Sequence, residues 1–167
     1  MDDAGAALAL RGGAAGGTGQ PGVIISHRIG ALFTGLVSSP GKGAHIKELG
    51  AHAFLNRKDP ALADIWTGFA EDPTQWQAWA EQGRPLIDQF KAANDGHLAD
   101  AVISHVGRDT FGRDVQLLAE GGRLAFYGAS SGFNLSFLGK PGSASPGEML
   151  DRAGVKPGEG VKPDEGF

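Results

Sequence analysis

Short apolar segments that suit buried strands alternate along this chain with longer segments that suit helices. The predicted strands are residues 6–11, 32–38, 53–55, 99–106 and 123–127, and the predicted helices are residues 42–49, pieces of 61–93, and 109–119. Strands that alternate with helices form a parallel sheet with helices on both faces. The sequence therefore predicts an α/β fold, a Rossmann-like, doubly wound sheet that is mostly parallel.

The stretch from residue 61 to 93 interrupts this alternation because it is long and rich in tryptophan. Apolar residues recur there at roughly helical spacing, and we expect Pro73 and Pro85 to divide it into pieces. Its tryptophans are Trp66, Trp76 and Trp79. They suit the packing of a helical pair on the sheet edge, and the alternative is an interface with another domain or with a second subunit of a homo-oligomer.

Composition excludes several classes of protein. The chain has 167 residues, enough for one domain with a proper core, and a formal net charge of -4, which argues against a general nucleic-acid or anionic-membrane binder. It has no cysteine, which excludes disulfides, thiolate metal sites and a cysteine nucleophile. Because we find neither a membrane-length apolar run nor a signal peptide, the expected location is cytoplasmic.

A glycine-rich stretch, RGGAAGGTGQPG, follows the first predicted strand. In a Rossmann unit such glycines permit a tight turn, a close approach of the backbone to a pyrophosphate, and packing of the helix on the strand. Glycines stand here at three-residue spacing, although Ala14 occupies the first glycine of the strict G-x-G-x-x-G pattern. In this context the stretch favours a dinucleotide site over a flexible lead-in, and the site is predicted to comprise Gly13, Ala14, Ala15, Gly16, Gly17, Thr18 and Gly19.

Two residues of the following helix conflict with that prediction. Pro21 and Gly22 fall in its first turn or so, and three β-branched residues follow them. Proline is tolerated only in about the first four helical positions, where the backbone N–H is unpaired. A helix that is short, frayed or displaced would weaken phosphate binding. The alternative function is therefore a non-catalytic Rossmann-like binding or scaffolding fragment.

The end of the second predicted strand indicates which dinucleotide is preferred. An NAD site places an acidic residue there to bind the ribose 2′-OH, whereas an NADP site needs cationic or hydroxyl groups for the 2′-phosphate. The strand ends in VSSPGK, which contains no acidic residue. Ser38, Ser39 and Lys42 suit the 2′-phosphate, and Arg57 and Lys58, after the third strand, add positive potential. The predicted cofactor is NADPH.

Three segments resemble the cofactor domain of medium-chain dehydrogenase/reductases: GAAGGTG, GLVSSPGKGAHIKELGAHAFLNRKD, and ADAVISHVGRDTFGRDVQLLAEGGRLAFYGASSGFNLSF. The similarity is greatest to the enoyl-CoA reductase branch, with crotonyl-CoA carboxylase/reductase and the reductase domain of propionyl-CoA synthase. The continuation GKPGSASPGEMLDRAG resembles the propionyl-CoA synthase domain more. The resemblance implies a zinc-independent oxidoreductase that transfers a hydride from NADPH to the C=C of an acyl-CoA thioester of acryloyl-CoA or crotonyl-CoA type. Some members of the branch trap carbon dioxide on the resulting enolate.

The resemblance also has implications for domain organisation. It covers roughly residues 6–150, and in the family a further catalytic domain forms much of the acyl-CoA pocket. We therefore expect this chain to be part of a larger enzyme, able to bind the cofactor and inactive alone. Residues 1–150 are predicted to form the dinucleotide-binding domain, with a helical insertion at about 60–95, and residues 151–167 a polar mobile tail.

His105 is the candidate contact for the reacting groups. It lies at the carboxyl end of a predicted strand, where open α/β sheets place ligands, and the resemblance puts it near the nicotinamide as a substrate or carbon dioxide contact. The alternative is a histidine bonded to backbone at a strand end. No catalytic residue is assigned beyond it. The other histidines have no spacing typical of a metal site, so no metal is predicted and surface positions are expected: His27, His45, His52 and His97.

The segment GASSG has two interpretations. The resemblance assigns Gly128, Ala129 and Ser130 to a small-residue loop over the nicotinamide. The same letters fit the G-x-S-x-G elbow of hydrolases, which needs a helix after the serine and a later histidine. The segment that follows looks extended, and no histidine comes after His105. The hydrolase interpretation therefore fails.

Overall fold

The computed structural model describes residues 8–67, 72–128 and 131. Within them the sheet has five strands in the spatial order β3-β2-β1-β4-β5. The strands are β1 (Leu8–Gly12), β2 (Leu32–Val37), β3 (Ala53–Asn56), β4 (Ala99–Ser104) and β5 (Leu118–Phe126). All neighbouring strands are parallel. The Rossmann-like, doubly wound sheet predicted from the sequence is confirmed.

Five α-helices connect the strands in the described residues. They are α1 (Gly19–Arg28), α2 (Pro40–Glu48), α3 (Trp76–Gln82), α4 (Arg84–Ala93) and α5 (Phe111–Gln116). Helix α2 begins two residues before its predicted start because Ser39 caps it: the Ser39 hydroxyl accepts from the Lys42 N–H, and proline at the first helical position has no N–H to leave unpaired. None of these helices has the length and apolar character needed to cross a membrane.

Helices cover both faces of the sheet, and each face has its own apolar core. Helices α1 and α2 cover one face, where Val23, Phe33 and Ile46 are fully buried. Helix α4 and the segment before it cover the other face, where Leu62 and Phe90 are fully buried. Burying a side chain of this size stabilises the fold by roughly 1.5–3 kcal/mol. The two cores hold the ends of the strands in fixed relative positions, which is a precondition for a site at those ends.

The helix predicted at residues 109–119 is wrong in its second half. Helix α5 ends at Gln116, and β5 begins at Leu118 instead of residue 123. The Ala99 N–H donates to the Leu117 carbonyl at 2.8 Å, so the start of β4 pairs with this segment before the helix can continue. The pairing with β4 then shifts register, and Gly121, with φ 76°, lies in the shifted part.

Two further boundaries differ from the sequence predictions. Strand β4 ends at Ser104 instead of residue 106, because the chain turns at Gly107, whose φ is 90°. The beginning of the stretch predicted as helical, residues 61–67, contains one 3₁₀ turn at Pro60–Leu62, and residues 63–67 are not helical. Its later part is helical as predicted, with the break between α3 and α4 at Gly83, two residues before Pro85.

Helix α1 is neither short nor displaced by Pro21. It runs for ten residues from Gly19, so Pro21 is its third residue. The N–H groups of the first helical positions have no acceptor inside the helix, and a proline there removes no hydrogen bond. The sequence-based concern about this helix start is therefore wrong.

Candidate functional site

A cleft opens at the carboxyl ends of the strands, between β1 and β4. From β1 the chain proceeds to β2 and β3 on one side, and it returns to β4 on the other side. Such a switch point is where open α/β sheets bind ligands. The cleft has a volume of about 300 Å³. Its lining includes the predicted residues Gly13, Ala15, Gly16, Ser38, Lys42, Arg57 and His105. It also includes residues that were not predicted: Leu36, Val37, Val106 and Thr110.

The glycines of the loop at residues 13–18 allow close approach of the backbone. Gly13 has φ 68°, and a Cβ there would collide with the His105 imidazole. A Cβ on Gly19 would collide with the carbonyl oxygens of Gly13 and Ala14. Ala14 itself is fully buried and lies 2.8 Å from the position that a Cβ on Gly35 would take. A methyl group at position 14 therefore fits, although the strict pattern has glycine there.

The amino terminus of α1 adjoins this loop. The N–H groups of Gly19 and Gln20 donate to the Gly16 carbonyl at 2.8 and 3.1 Å. The residue before the helix, Thr18, makes no side-chain capping bond, and the first turn contains no acidic residue. The partial positive charge of the helix dipole favours an anion at such an end. The loop and the helix start therefore suit a phosphate group.

A positively charged rim lies at the ends of β2 and β3. The Lys42 ammonium donates to the Ser38 hydroxyl at 3.1 Å, which holds these two side chains together. Arg57 follows β3, and its N–H donates to the Val37 carbonyl at 2.8 Å, so it lies beside the end of β2. The side chains of Lys42 and Arg57 are exposed. None of the described residues that line the cleft is acidic.

His105 lies on the opposite side of the cleft. It is half-buried, and its ring stacks on that of Tyr127 with centroids 5.5 Å apart and planes at 13°. Ser131 joins this region to the segment after β5: its N–H and its hydroxyl both donate to the Val106 carbonyl at 2.7 Å. The Ser131 hydroxyl also accepts from the Asp109 N–H at 3.1 Å. These bonds tie the residues after β4 to those after β5.

The remaining predicted residues are placed as follows. Gly17 and Thr18 are exposed on the loop beyond the cleft lining, while Ser39 caps α2. Gly128 lies beside His105: a Cβ there would be 3.8 Å from the His105 carbonyl oxygen. Ala129, Ser130 and the predicted tail lie outside the described residues. The histidines expected at the surface are indeed exposed: His27, His45, His52 and His97.

A buried polar cluster lies beneath the cleft and was not predicted from the sequence. The Ser104 hydroxyl donates to Asp114 Oδ2 at 2.5 Å, and the Thr110 hydroxyl donates to the same oxygen at 3.1 Å. Burial raises the pKa of Asp114 to about 6, although the two hydroxyl bonds act in the opposite direction. The linear sequence contains no signal for this cluster, because FGRDVQ is typical of a solvated helix.

Arg113, the neighbour of Asp114, is fully buried on another side of α5. Its guanidinium donates to the carbonyls of Ile65 at 2.7 Å and Trp79 at 2.8 Å, and to the side chains of Gln116 and Gln82. It also lies 4.0 Å from the centre of the Trp79 ring. Burial lowers the pKa of Arg113 to about 10. Packing within the domain thus accounts for Trp79.

The metal-binding capacity of the described residues is small. They contain no group of three or more histidine, aspartate or glutamate side chains that could hold a metal ion. Cysteine, the other common zinc ligand, is absent from the whole sequence. The residues of this part of the chain therefore do not fit a zinc site.

Comparison with known proteins relates this geometry to a family. The family model described as zinc-binding dehydrogenase matches residues 17–140. Crotonyl-CoA reductase from Streptomyces collinus is 29% identical over 121 residues, which are 72% of this chain and 26% of that protein. This chain therefore spans about a quarter of the length of that curated relative.

Solved structures show the same fold. Crotonyl-CoA carboxylase/reductase AntE in complex with NADP superimposes with a TM-score of 0.75 at 20% identity, over 90% of this chain and 35% of that chain. The 2-octenoyl-CoA carboxylase reductase CinF, in complex with NADP and 2-octenoyl-CoA, gives a TM-score of 0.66 at 28% identity, over 90% of this chain and 31% of that chain.

Proposed function

We propose that the cleft of this chain, which belongs to the zinc-binding dehydrogenase family, binds NADPH. Within that family the chain is a cofactor-binding domain of the medium-chain dehydrogenase/reductases. The observation that carries the proposal is the combination, at one switch point, of a glycine loop with a cationic rim. The loop and the start of α1 suit the pyrophosphate, and Ser38, Lys42 and Arg57 suit a 2′-phosphate.

Electrostatics supports NADPH over NADH. The two cofactors differ by one phosphate, and the rim offers it two cations and a hydroxyl with no acid in the described lining. A cation a few ångströms from a phosphate in a partly exposed site contributes on the order of 1–2 kcal/mol, or roughly tenfold in affinity. The NADP in the structures of AntE and CinF agrees with this choice.

We further propose that the enzyme containing this domain is an enoyl-CoA reductase that works without zinc. The names of its relatives, with crotonyl-CoA and 2-octenoyl-CoA as substrates, support this reaction. When bound, NADPH would supply a hydride to the β-carbon of the C=C bond, and the resulting enolate would take up a proton or carbon dioxide at the α-carbon. His105, across the cleft from the rim, is the residue of this chain proposed to lie beside the nicotinamide and to contact substrate or carbon dioxide.

The geometry of α1 supports cofactor binding over the scaffolding alternative. That alternative depended on a helix start damaged by Pro21, whereas α1 runs for ten residues from Gly19 and adjoins the cleft. No observation on the described residues favours it.

A titration of the purified protein tests the proposed cofactor. Calorimetry with NADPH and with NADH is expected to show at least roughly tenfold tighter binding of NADPH. Arg57→Ala is expected to weaken NADPH binding about tenfold and to leave NADH binding unchanged, because only the 2′-phosphate contact is lost. Lys58→Ala is the matched control: Lys58 is the next residue, also exposed, and outside the cleft lining.

The outcomes separate the parts of the proposal. Equal affinity for the two cofactors would contradict the assignment of the rim to a 2′-phosphate. An equal effect of the Arg57 and Lys58 substitutions would mean that general charge, and not the cleft, attracts the cofactor. Absence of binding to either dinucleotide would overturn the proposed function.

A further inference from the structure

Asp114 lies beneath the cleft and does not line it, yet its two partners lie at the ends of one cleft segment. This segment, the β4–α5 loop, comprises residues 105–110. Ser104 directly precedes the loop, and Thr110 ends it. Both hydroxyls donate to the same oxygen of Asp114, at 2.5 and 3.1 Å. The carboxyl group is only 2% exposed, so water does not compete for these bonds.

The loop held in this way carries much of one side of the cleft. Its residues His105, Val106 and Thr110 all line the cleft. At the end of the loop, the N–H groups of Thr110 and of Phe111, the first residue of α5, donate to the Gly107 carbonyl at 3.1 and 2.9 Å. These local bonds shape the turn, whereas the Asp114 carboxylate joins its two ends to each other and to α5.

We propose that Asp114 is a positioning residue of the cofactor cleft, which holds the β4–α5 loop through Ser104 and Thr110 and makes NADPH affinity depend on its ionisation. The proposal rests on the proposed function, because NADPH is the ligand whose binding it modulates. Asp114 touches neither cofactor nor substrate in this scheme and acts only through the two hydroxyls.

Ionisation matters because of the nature of the two bonds. A hydroxyl that donates to a carboxylate makes a charge-assisted bond, about twice as strong as one to a neutral carboxyl group. Protonation of Asp114 therefore weakens both ends of the clamp together. Because burial raises the pKa of Asp114 to about 6, this change falls near neutral pH and not at pH 4.

Other charged groups near Asp114 do not account for the expected pH dependence of NADPH binding. Arg113 points away to the carbonyls of Ile65 and Trp79, and Arg108 pairs with Asp109 at 3.1 Å. On the adjoining strands the charged residues are exposed: Asp100, Glu120 and Arg123. His105 and Asp109 are further titratable groups within the loop. Both are present in the two proteins compared below, so they do not distinguish one protein from the other.

The test compares NADPH dissociation constants of the wild type and Asp114→Asn between pH 5 and pH 8. Asparagine has nearly the shape of a protonated aspartate, and it accepts hydrogen bonds without a charge. At pH 8 the wild type is expected to bind NADPH roughly three- to tenfold more tightly than the variant, the difference between charge-assisted and neutral bonds. At pH 5 the two proteins are expected to bind NADPH equally. The ratio of their dissociation constants is expected to change with a midpoint near pH 6. A ratio that is constant with pH would overturn the proposal.

A control and a second variant make the result specific. Asp109→Asn removes an acid on the same loop that pairs with exposed Arg108, and it is expected to give a ratio independent of pH. Thr110→Val keeps the carboxyl group and removes one donor, so it serves where Asp114→Asn does not fold. The Thr110 hydroxyl favours the ionised form of Asp114. Its loss is therefore expected to move the midpoint of the pH dependence of NADPH binding to higher pH. An unmoved midpoint would count against the clamp.

A measurement without cofactor separates this proposal from the proposed function. The amide resonances of Gly107 and Thr110 are expected to titrate near pH 6 in the free wild type, with this step absent in Asp114→Asn. Loss of NADPH binding in the wild type would overturn the proposed function alone if the resonances still titrate. Amide resonances that do not titrate would overturn the Asp114 clamp, whatever the cofactor affinity.

Discussion

Charged side chains are exposed at the cleft rim and buried on helix α5. Lys42 and Arg57 at the rim hold their charges in solvent. On α5, Arg113 and Asp114 are buried, with exposures of 0% and 2%, and protein groups satisfy both. Rim charges of this kind contribute little to folding and are available to an anionic ligand. Buried charges are expensive to leave unpaired, so those on α5 determine how segments of the chain are joined.

The two charges on α5 do not neutralise each other, although they are adjacent in sequence. Successive residues of a helix point about 100° apart, so neighbours do not face each other. Arg113 therefore reaches the segment before α4, through Ile65 and Trp79. Asp114 reaches the β4–α5 loop. One short helix thus links the tryptophan-rich insertion to the wall of the cleft.

Removal of the buried Arg113 guanidinium is expected to have the largest effect among the substitutions that compare the rim with α5. Arg113→Met keeps the length of the side chain and leaves the carbonyls of Ile65 and Trp79 without their donor. Loss of about 3–4 kcal/mol in the free energy of unfolding is expected, since buried acceptors lose charged donors. Urea denaturation at pH 7 measures it. Arg84→Met is the control: Arg84 is exposed and pairs with Glu81 at 3.7 Å, so a change within about 0.5 kcal/mol is expected. Equal losses in both variants would show that the buried bonds of Arg113 have no special role.

The pH dependence of stability tests the buried carboxylate. Because the pKa of Asp114 is raised from 3.8 to about 6 in the folded state, the native protein binds more protons than the unfolded chain between those values. The contribution of Asp114 to stability is therefore full below pH 4 and is lost as the pH rises through 6, by roughly 3 kcal/mol. The stability of the wild type relative to Asp114→Asn should fall by this amount between pH 4 and pH 7 in urea titrations. A parallel pH dependence in the two proteins would mean that Asp114 titrates at its ordinary pKa.

A new charge at the rim is expected to have the smallest effect and to act on selectivity alone. Ser38→Asp places an acid beside Lys42, where it repels a 2′-phosphate and can bind a ribose 2′-OH. NADPH binding should weaken by about 1–2 kcal/mol, or roughly tenfold, relative to NADH. Ser38→Asn, similar in size and uncharged, should shift the preference less, and calorimetry compares the two. If Ser38→Asp retains the wild-type preference for NADPH, the 2′-phosphate binds elsewhere.

Local patterns were sufficient to predict the sheet and much of the cleft lining. The alternation of strands and helices gave the parallel topology, because a right-handed crossover leaves few other arrangements. The glycines at residues 13–19 and the absence of an acid after β2 are properties of contiguous segments. Of these residues, Gly13 and Gly16 line the cleft, together with Ser38 and Lys42 after β2. The bounds of β5 were missed because hydrogen bonds from β4, and not helix propensity, decide where α5 ends.

The roles of Arg113 and Asp114 arise from contacts between distant segments. Arg113 binds a carbonyl 48 residues away, and Asp114 binds Ser104 across a turn whose direction depends on Gly107. In the linear sequence both look like solvated helix residues, because charge and periodicity do not reveal which face of a six-residue helix is covered. Sequence thus specified the local preferences that place a glycine loop and a cationic rim at strand ends. Only in the assembled domain is α5 buried between the sheet and the insertion. There the side chains of Arg113 and Asp114 connect segments that are distant in the sequence.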